Sequence, residues 1–118
     1  MPDERTATSG RGASRDESAV TLALNETETV GLRYAFAGEA DELDRMAQDG
    51  SNPDAAQHRA EAAHIRHEVL PAIDGGSITW SRDGLREMLP ESLHGAQLDN
   101  RWAVVEGIAA VLRRLEAA

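Results

Sequence analysis

The feature that most constrains the fold of this chain is its shortage of large apolar side chains. Leu, Ile, Val and Phe together number 22 in 118 residues, whereas Ala alone numbers 20. Their share, about 19% of the chain, lies close to the roughly 20% below which a charged chain is suspected of disorder. The spacing of these few residues therefore decides which segments fold, and the length suits one domain with one small core.

The beginning of the chain separates into a polar segment and a short strand. Residues 1–18 are polar, contain Gly and Ser and show no periodicity, so we predict a disordered tail there and a single compact domain over residues 19–118. Val20, Leu22 and Leu24 alternate with smaller residues, which is the period of a half-buried strand. Residues 78–80 form a second candidate strand, and the two can pair into a two-stranded sheet.

Residues 26–48 have the apolar spacing of a helix. Asn25, followed by Glu28 three residues later, resembles a capping box. Gly31 and Gly38 lie inside this helix, where each costs about 1 kcal/mol relative to Ala, so we predict that they mark close approach by another backbone. One face carries the stripe that should enter the core: Leu32, Phe36, Ala40, Leu43 and Ala47.

A second helix is predicted from Asn52-Pro53 to Leu70-Pro71. Its contact face is thin and rich in Ala, comprising Ala55, Ala62, Ile65 and Val69. The linker to the first helix is short, which predicts an antiparallel helical hairpin.

The last third of the chain contains two more helical segments. Ser81 is expected to cap a short helix that ends at Leu89 because Pro90 follows, and residues 91–98 are expected to form a loop or one irregular turn. Asp99 or Asn100 is expected to cap a C-terminal amphipathic helix with this stripe: Val104, Val105, Ile108, Val111, Leu112 and Leu115. The predicted fold class is mainly α with minor β (α+β): a helical hairpin, a strand-helix unit and the C-terminal helix.

The charge of the chain is strongly acidic and unusual in type. Asp and Glu number 21 against 12 cationic residues, all of them Arg, for a net charge of −9. This composition resembles that of halophilic archaeal proteins, because carboxylates stay hydrated in concentrated salt and salt strengthens apolar burial. The alternative is an ordinary acidic protein that lacks Lys through coding bias. The resemblance is one of composition only and implies no functional residue.

Several functional classes are excluded by what the sequence lacks. It contains no Cys, which removes disulfide scaffolds, thiol nucleophiles and iron-sulfur clusters. No apolar run approaches the roughly 18 residues of a membrane span and no hydrophobic stretch opens the chain, so the expected location is cytoplasmic. No P-loop, dinucleotide fingerprint or nucleophile elbow is present. We therefore expect a protein that is not an enzyme and uses no cofactor.

One motif suggests metal chemistry. Glu-x-x-His occurs twice, at Glu61–His64 and at Glu91–His94, and this spacing contributes to the di-metal sites of ferritin-like bundles. On the helical wheel, however, Glu61, His64 and Glu68 lie opposite the apolar stripe and should face water.

The second copy of the motif lies between Pro90 and Gly95, where no long helix is expected. We predict no metal site, with Glu61, His64, Glu68 and His94 as the alternative ligand set. His64, His67 and Glu68 also suit proton transfer, although an exposed polar face is the favoured interpretation. His58 falls within the apolar arc and is predicted to be a hydrogen-bonded interior or interface histidine rather than a ligand.

Binding to another protein is the function that requires the fewest specific residues of this sequence. A domain with so small a core gains from a protein partner or from a second copy of itself. We therefore predict a non-enzymatic protein-protein interaction or self-association module, with two candidate contact surfaces: the stripe of Val30, Tyr34 and Ala37, and the neighbourhood of Trp102.

Two other functions stay open as alternatives. One is a metal-binding protein that uses the Glu and His side chains named above. The other is a small DNA-associated regulator that uses Arg82 with Arg86 or Arg113 with Arg114, although each pair has acidic neighbours and no recognition helix is identifiable. We expect neither nucleic-acid nor membrane binding.

Overall fold

A computed structural model describes residues 19–117, and the tail predicted at residues 1–18 lies outside this range. Helices and one small antiparallel sheet make up the described chain, which confirms the mainly α fold with minor β. In chain order the elements are β1 (Ala19–Ala23), α1 (Glu26–Ala47), α2 (Ala55–His64), a π-helical turn (Ile65–Val69), α3 (Leu70–Asp74), β2 (Ser77–Ser81), α4 (Arg82–Leu98) and α5 (Trp102–Ala117).

Helix α1 is the centre of the fold and packs against α2, α3, α4 and α5. Its start is fixed by the predicted capping box: the Glu28 N–H donates to Asn25 Oδ1 at 2.8 Å, and the Asn25 N–H donates to Glu28 Oε1 at 3.0 Å. Its predicted apolar stripe is buried throughout. Apart from Ala47, the stripe joins one core cluster with residues of the other elements, in which Phe36 meets Trp80 edge to face with ring centroids 5.0 Å apart.

Helices α1 and α2 form the predicted antiparallel hairpin, and ion pairs join α1 to the π-helical turn and to α3, which follow α2. Arg33 near the start of α1 donates to Asp74 at the end of α3 at 2.8 Å, and Arg66 donates to Asp41 at 2.8 Å and to Asp44 at 2.5 Å. These hydrogen bonds to Asp44 and then Asp41 raise the pKa of Arg66 above its ordinary value. The pairs are exposed and each contributes little stability, so apolar burial holds the hairpin together.

The second helix does not end at Leu70-Pro71 as predicted. The helical backbone continues through Pro71 to Asp74, after a π-helical turn in which the Leu70 N–H donates to the Ile65 carbonyl. A proline ring clashes with the carbonyl four residues earlier and leaves it without a donor. The wider π-helical turn just before Pro71 accommodates that ring. The rule that a proline ends a helix does not take such a turn into account.

Helix α4 likewise continues through its proline, so the predicted end at Leu89 and the predicted loop over residues 91–98 are both wrong. Ser81 does cap the helix, because its Oγ accepts from the Gly84 N–H at 3.1 Å. Pro90 is exposed, whereas Ala96 beyond it is fully buried in the core. Burial of the second half of α4 offsets the local cost of the proline.

The junction between α4 and α5 also differs from the prediction. Asn100 does not cap α5; it adopts a left-handed conformation with φ of 59° and ends α4. The Arg101 N–H donates to the Ala96 carbonyl at 2.9 Å and the Asn100 N–H donates to the Gln97 carbonyl at 3.1 Å. This is a Schellman motif, in which Asn replaces the usual glycine.

Two glycines allow α1 and α5 to cross backbone to backbone. A Cβ on Gly31 would lie 2.5 Å from the Ile108 nitrogen, and a Cβ on Gly107 would lie 2.2 Å from the Thr27 carbonyl oxygen. The close approach predicted at Gly31 is therefore confirmed. The same prediction for Gly38 is wrong, because a Cβ there would meet nothing within 4 Å.

Candidate contact surfaces

The first Glu-x-x-His motif lies at the end of α2. Its side chains are less exposed than the helical wheel predicted. Glu61 and His64 are half-buried, and the His64 ring stacks on Trp80 of β2 with centroids 6.3 Å apart and an interplanar angle of 24°. The helical wheel could not anticipate this contact, because it is made by a strand distant in sequence. Glu68 is exposed in the π-helical turn.

The second motif lies on α4, in the helical segment that the sequence assigned to a loop, and its His94 is exposed. Within residues 19–117, no group of three or more His, Cys, Asp or Glu side chains is placed to hold a metal ion. The alternative ligands Glu61, His64, Glu68 and His94 therefore do not converge into a site.

His58 has the environment that its position predicted. The ring is half-buried, and its Nδ1 lies 3.0 Å from Asn52 Nδ2. Asn52 Nδ2 also donates to the Met46 carbonyl at 2.8 Å. The amide thereby links the linker between α1 and α2 to both helices, which identifies His58 as a structural residue of the hairpin.

Arginines that were candidates for DNA contact bind groups of the protein itself. Arg82 donates to the Leu115 carbonyl at 2.6 Å, at the end of α5. Arg114 donates to the Ala23 carbonyl at 2.8 Å and to Glu28 at 2.9 Å. Glu28 is only 4% exposed, so Arg114 neutralises a buried carboxylate. These two arginines join elements of the fold rather than forming a free cationic face.

Apolar exposure is concentrated where α4 meets α5. Among the described residues, the exposed large hydrophobic side chains are Val30 at 42%, Leu98 at 70% and Trp102 at 59%. Leu98 ends α4 and Trp102 begins α5, so the two side chains flank the Schellman turn. We name Leu98 and Trp102 the junction pair. Trp102 was a sequence candidate, whereas Leu98 was missed because it was assigned to a loop.

The second candidate surface from the sequence is only partly exposed. Val30 faces solvent, but Tyr34 and Ala37 are half-buried. The Arg101 guanidinium lies over the Tyr34 ring, 5.7 Å from its centroid. Tyr34 thus completes an intramolecular contact between α1 and the start of α5.

The sheet offers a third surface, which sequence reasoning did not identify. β1 and β2 pair antiparallel with Val20 opposite Trp80, Thr21 opposite Thr79 and Leu22 opposite Ile78. The two threonine hydroxyls lie 2.9 Å apart on the solvent side. The inner face covers the core, where Ile78 is 1% and Trp80 is 3% exposed.

A function for this protein has to be inferred from the residues that form the fold and these surfaces. No helix within residues 19–117 is long and apolar enough to cross a membrane. We find no match to the chain among protein-family models, curated proteins or solved structures, so no relative supplies a function or a set of functional residues.

Proposed function

We propose that this protein is a small, non-enzymatic interaction module that associates with further copies of itself in the cytoplasm. The observation that carries the proposal is the junction pair, Leu98 at 70% and Trp102 at 59% exposure, on a protein that has few large hydrophobic side chains to spare. Aromatic side chains are enriched in protein interfaces, and a few of them supply most of the binding energy.

Burial of the junction pair would be energetically significant. Covering a Leu or an aromatic side chain contributes about 1.5–3 kcal/mol relative to leaving it exposed. The backbone between the two side chains is held by the two hydrogen bonds of the Schellman turn. Ordering of this backbone therefore adds little to the entropy cost of binding.

The acidic composition sets the conditions for this association. Each copy carries a net charge of −9, so two copies repel at low ionic strength. At about 1 M salt the Debye length falls to about 3 Å, which screens that repulsion, and some salts also strengthen apolar burial. We therefore propose that the protein works in concentrated salt and that association increases with salt concentration.

Light scattering during gel filtration in molar KCl tests the proposal. We expect the mass to exceed one chain, to rise with protein concentration and to fall when Trp102→Ser removes half of the junction pair. Val30→Ser is the matched control, because it removes the remaining exposed large hydrophobic side chain of residues 19–117, on α1, and should leave the mass unchanged. A single-chain mass at every concentration and salt level would refute self-association.

Fluorescence gives an independent readout, because the chain contains two tryptophans in opposite environments. Trp80 is buried at 3% exposure, and Trp102 is exposed. In a Trp80→Phe variant the emission reports on Trp102 alone, so we expect a blue shift and protection from acrylamide as the protein concentration rises. Unchanged quenching across the concentrations at which the mass increases would show that the junction pair is not the contact.

A further inference from the structure

Within residues 19–117, the outer side of β1 presents backbone groups that do not pair with another strand. The Leu24 N–H donates to the Gly76 carbonyl at 2.8 Å, one residue beyond the ladder and in the same register. In an antiparallel pair such bonds recur at every second residue, so the even-numbered residues of β1 bond to β2. Ala19, Thr21 and Ala23 therefore direct their N–H and C=O groups away from β2. The Ala23 carbonyl shows this orientation directly, since it accepts from Arg114.

Within residues 19–117, this edge carries none of the charged residues, prolines or bulges that often protect an exposed strand. Natural edge strands carry charged residues, Pro or bulges that prevent pairing with another chain. β1 reads Ala-Val-Thr-Leu-Ala, with no charge and no Pro, and it pairs with β2 in unbroken register. Arg114, which donates to the Ala23 carbonyl at this edge, is paired with the Glu28 carboxylate. On a chain of net charge −9, the edge is a place where two copies can approach with little repulsion.

The apolar side of β1 is also incompletely covered. Val20 and Leu22 are only half-buried, although Trp80 and Ile78 opposite them on β2 are almost fully buried. A two-stranded sheet is marginal on its own, and further strands stabilise it. Additional strands beside β1 would cover these two side chains.

We propose that β1 pairs antiparallel with β1 of a second copy about a two-fold axis at Thr21, forming a continuous four-stranded sheet. The sequence of β1 is nearly the same in both directions, so this register places Thr21 opposite its own copy, Ala19 opposite Ala23 and Val20 opposite Leu22. Apolar side chains then stay on the core face and threonines on the solvent face. The outward groups of Ala19, Thr21 and Ala23 are those that this register pairs, and the Ala23 carbonyl has a second lone pair beside Arg114.

The area of the proposed β1 contact is small, and this area determines the affinity that we expect. A strand of five residues is about 17 Å long, and the area along one such edge falls well short of the roughly 800 Å² per partner in a standard stable interface. The β1 contact is therefore weak and concentration-dependent. It is separate from the junction pair, so a protein with both contacts forms assemblies larger than a dimer.

Single cysteines test the register cleanly, because the chain has no Cys of its own. Thr21→Cys and Thr79→Cys remove the same hydroxyl contact on the same face of the sheet, but only Thr21 lies at the proposed axis. Facing Cα atoms at Thr21 would be about 5.5 Å apart, within disulfide reach. The two copies of Thr79 would be three strand spacings apart, about 14 Å, which is beyond it.

We expect Thr21→Cys to form a covalent dimer under mild oxidation at high protein concentration and Thr79→Cys to remain largely a single chain. Each variant is made with and without Trp102→Ser. Crosslinking at residue 21 that persists with Trp102→Ser supports the strand contact, whether or not the junction pair also associates. Equal or greater crosslinking at residue 79, or crosslinking at neither position, would overturn it.

A second pair of variants separates this inference from the proposed function. Thr21→Pro removes the outward N–H of residue 21 and leaves every backbone hydrogen bond to β2 in place. Thr21→Val keeps that N–H. Both variants lose the hydroxyl contact with Thr79. With Trp102→Ser present, we expect Thr21→Val to retain a concentration-dependent dimer and Thr21→Pro to be a single chain with an unchanged circular dichroism spectrum. If Trp102→Ser alone gives a single chain, the strand contact is refuted while self-association through the junction pair stands.

Discussion

The crossing of α1 and α5 predicts opposite effects for the same substitution at two positions of one helix. A methyl group on Gly31 would lie 2.5 Å from the Ile108 nitrogen and 2.7 Å from the Gly107 carbonyl carbon, where ordinary contacts begin near 3.4 Å. Both neighbours are backbone atoms, so relief requires the helices to move apart by about 1 Å, which weakens the dispersion contacts along the crossing.

The change in the free energy of unfolding follows from two opposing contributions. Overpacking a tight contact costs about 1–3 kcal/mol, and a clash with rigid backbone belongs at the upper end. Replacing a helical Gly by Ala gains about 1 kcal/mol in propensity. Gly31→Ala should therefore lower the free energy of unfolding by about 2 kcal/mol. Gly38→Ala, with open space around its Cβ, should raise it by about 0.5–1 kcal/mol.

Denaturant unfolding in molar KCl, followed by circular dichroism, measures both free energies. In a domain of this size the expected loss in Gly31→Ala corresponds to a fall in Tm of about 10 °C. Gly38→Ala has the same composition and lies on the same helix, so it controls for general effects of the substitution. A midpoint for Gly31→Ala at or above that of the unchanged protein would refute the backbone crossing.

Substitutions at three further positions test other parts of the fold. Pro90→Ala should raise the free energy of unfolding by about 1–3 kcal/mol, because it restores a helical hydrogen bond inside α4; a loss of stability would show that the proline shapes the helix favourably. Asn100→Ala should cost about 1 kcal/mol in its left-handed conformation and Asn100→Gly should not, as measured by denaturant unfolding. Hydrogen bonds from the N–H and then the hydroxyl of Ser51 lower the pKa of Asp49 below 3.8. The ionised Asp49 carboxylate therefore stabilises the fold above pH 3.8, and this contribution is lost as the pH falls through the lowered pKa. Ser51→Ala should move this pKa partway back up in an NMR titration, and an unchanged value would exclude the hydroxyl bond.

The sequence predicted best where a helix buries one continuous stripe. The stripes of α1 and α5 enter the core because their spacing matches the helical period and because the opposite faces are charged. The capping box at Asn25 was equally predictable, since its bonds join residues three apart. Local pattern and tertiary packing agree at these places.

The prediction failed where tertiary contacts oppose a local rule. Pro71 and Pro90 should end helices, but burial of Ile73 and Ala96 beyond them favours continuation. The Asn100 turn was assigned to the wrong helix, because Asn suits both an N-cap and a left-handed C-terminal position. His64 was assigned to solvent, because its contact with Trp80 depends on where β2 packs.

The candidate surfaces show the same division between local and distant information. Trp102 could be identified from its position beside the stripe of α5. Leu98 could not, because its exposure depends on the continuation of α4 past Pro90. The open edge of β1 required the strand register, which no single segment of sequence determines.

The Gly31–Gly107 crossing also has a consequence for how quickly the chain folds. Helical proteins usually fold fast because their contacts are local in sequence. Here a backbone-to-backbone contact between two helices joins residues 76 positions apart, and the loop-closure entropy must be lost before that contact stabilises anything. We expect refolding to be slower than for an up-and-down bundle of the same length. The hairpin of α1 and α2 can form early, while its apolar face stays open until α5 arrives.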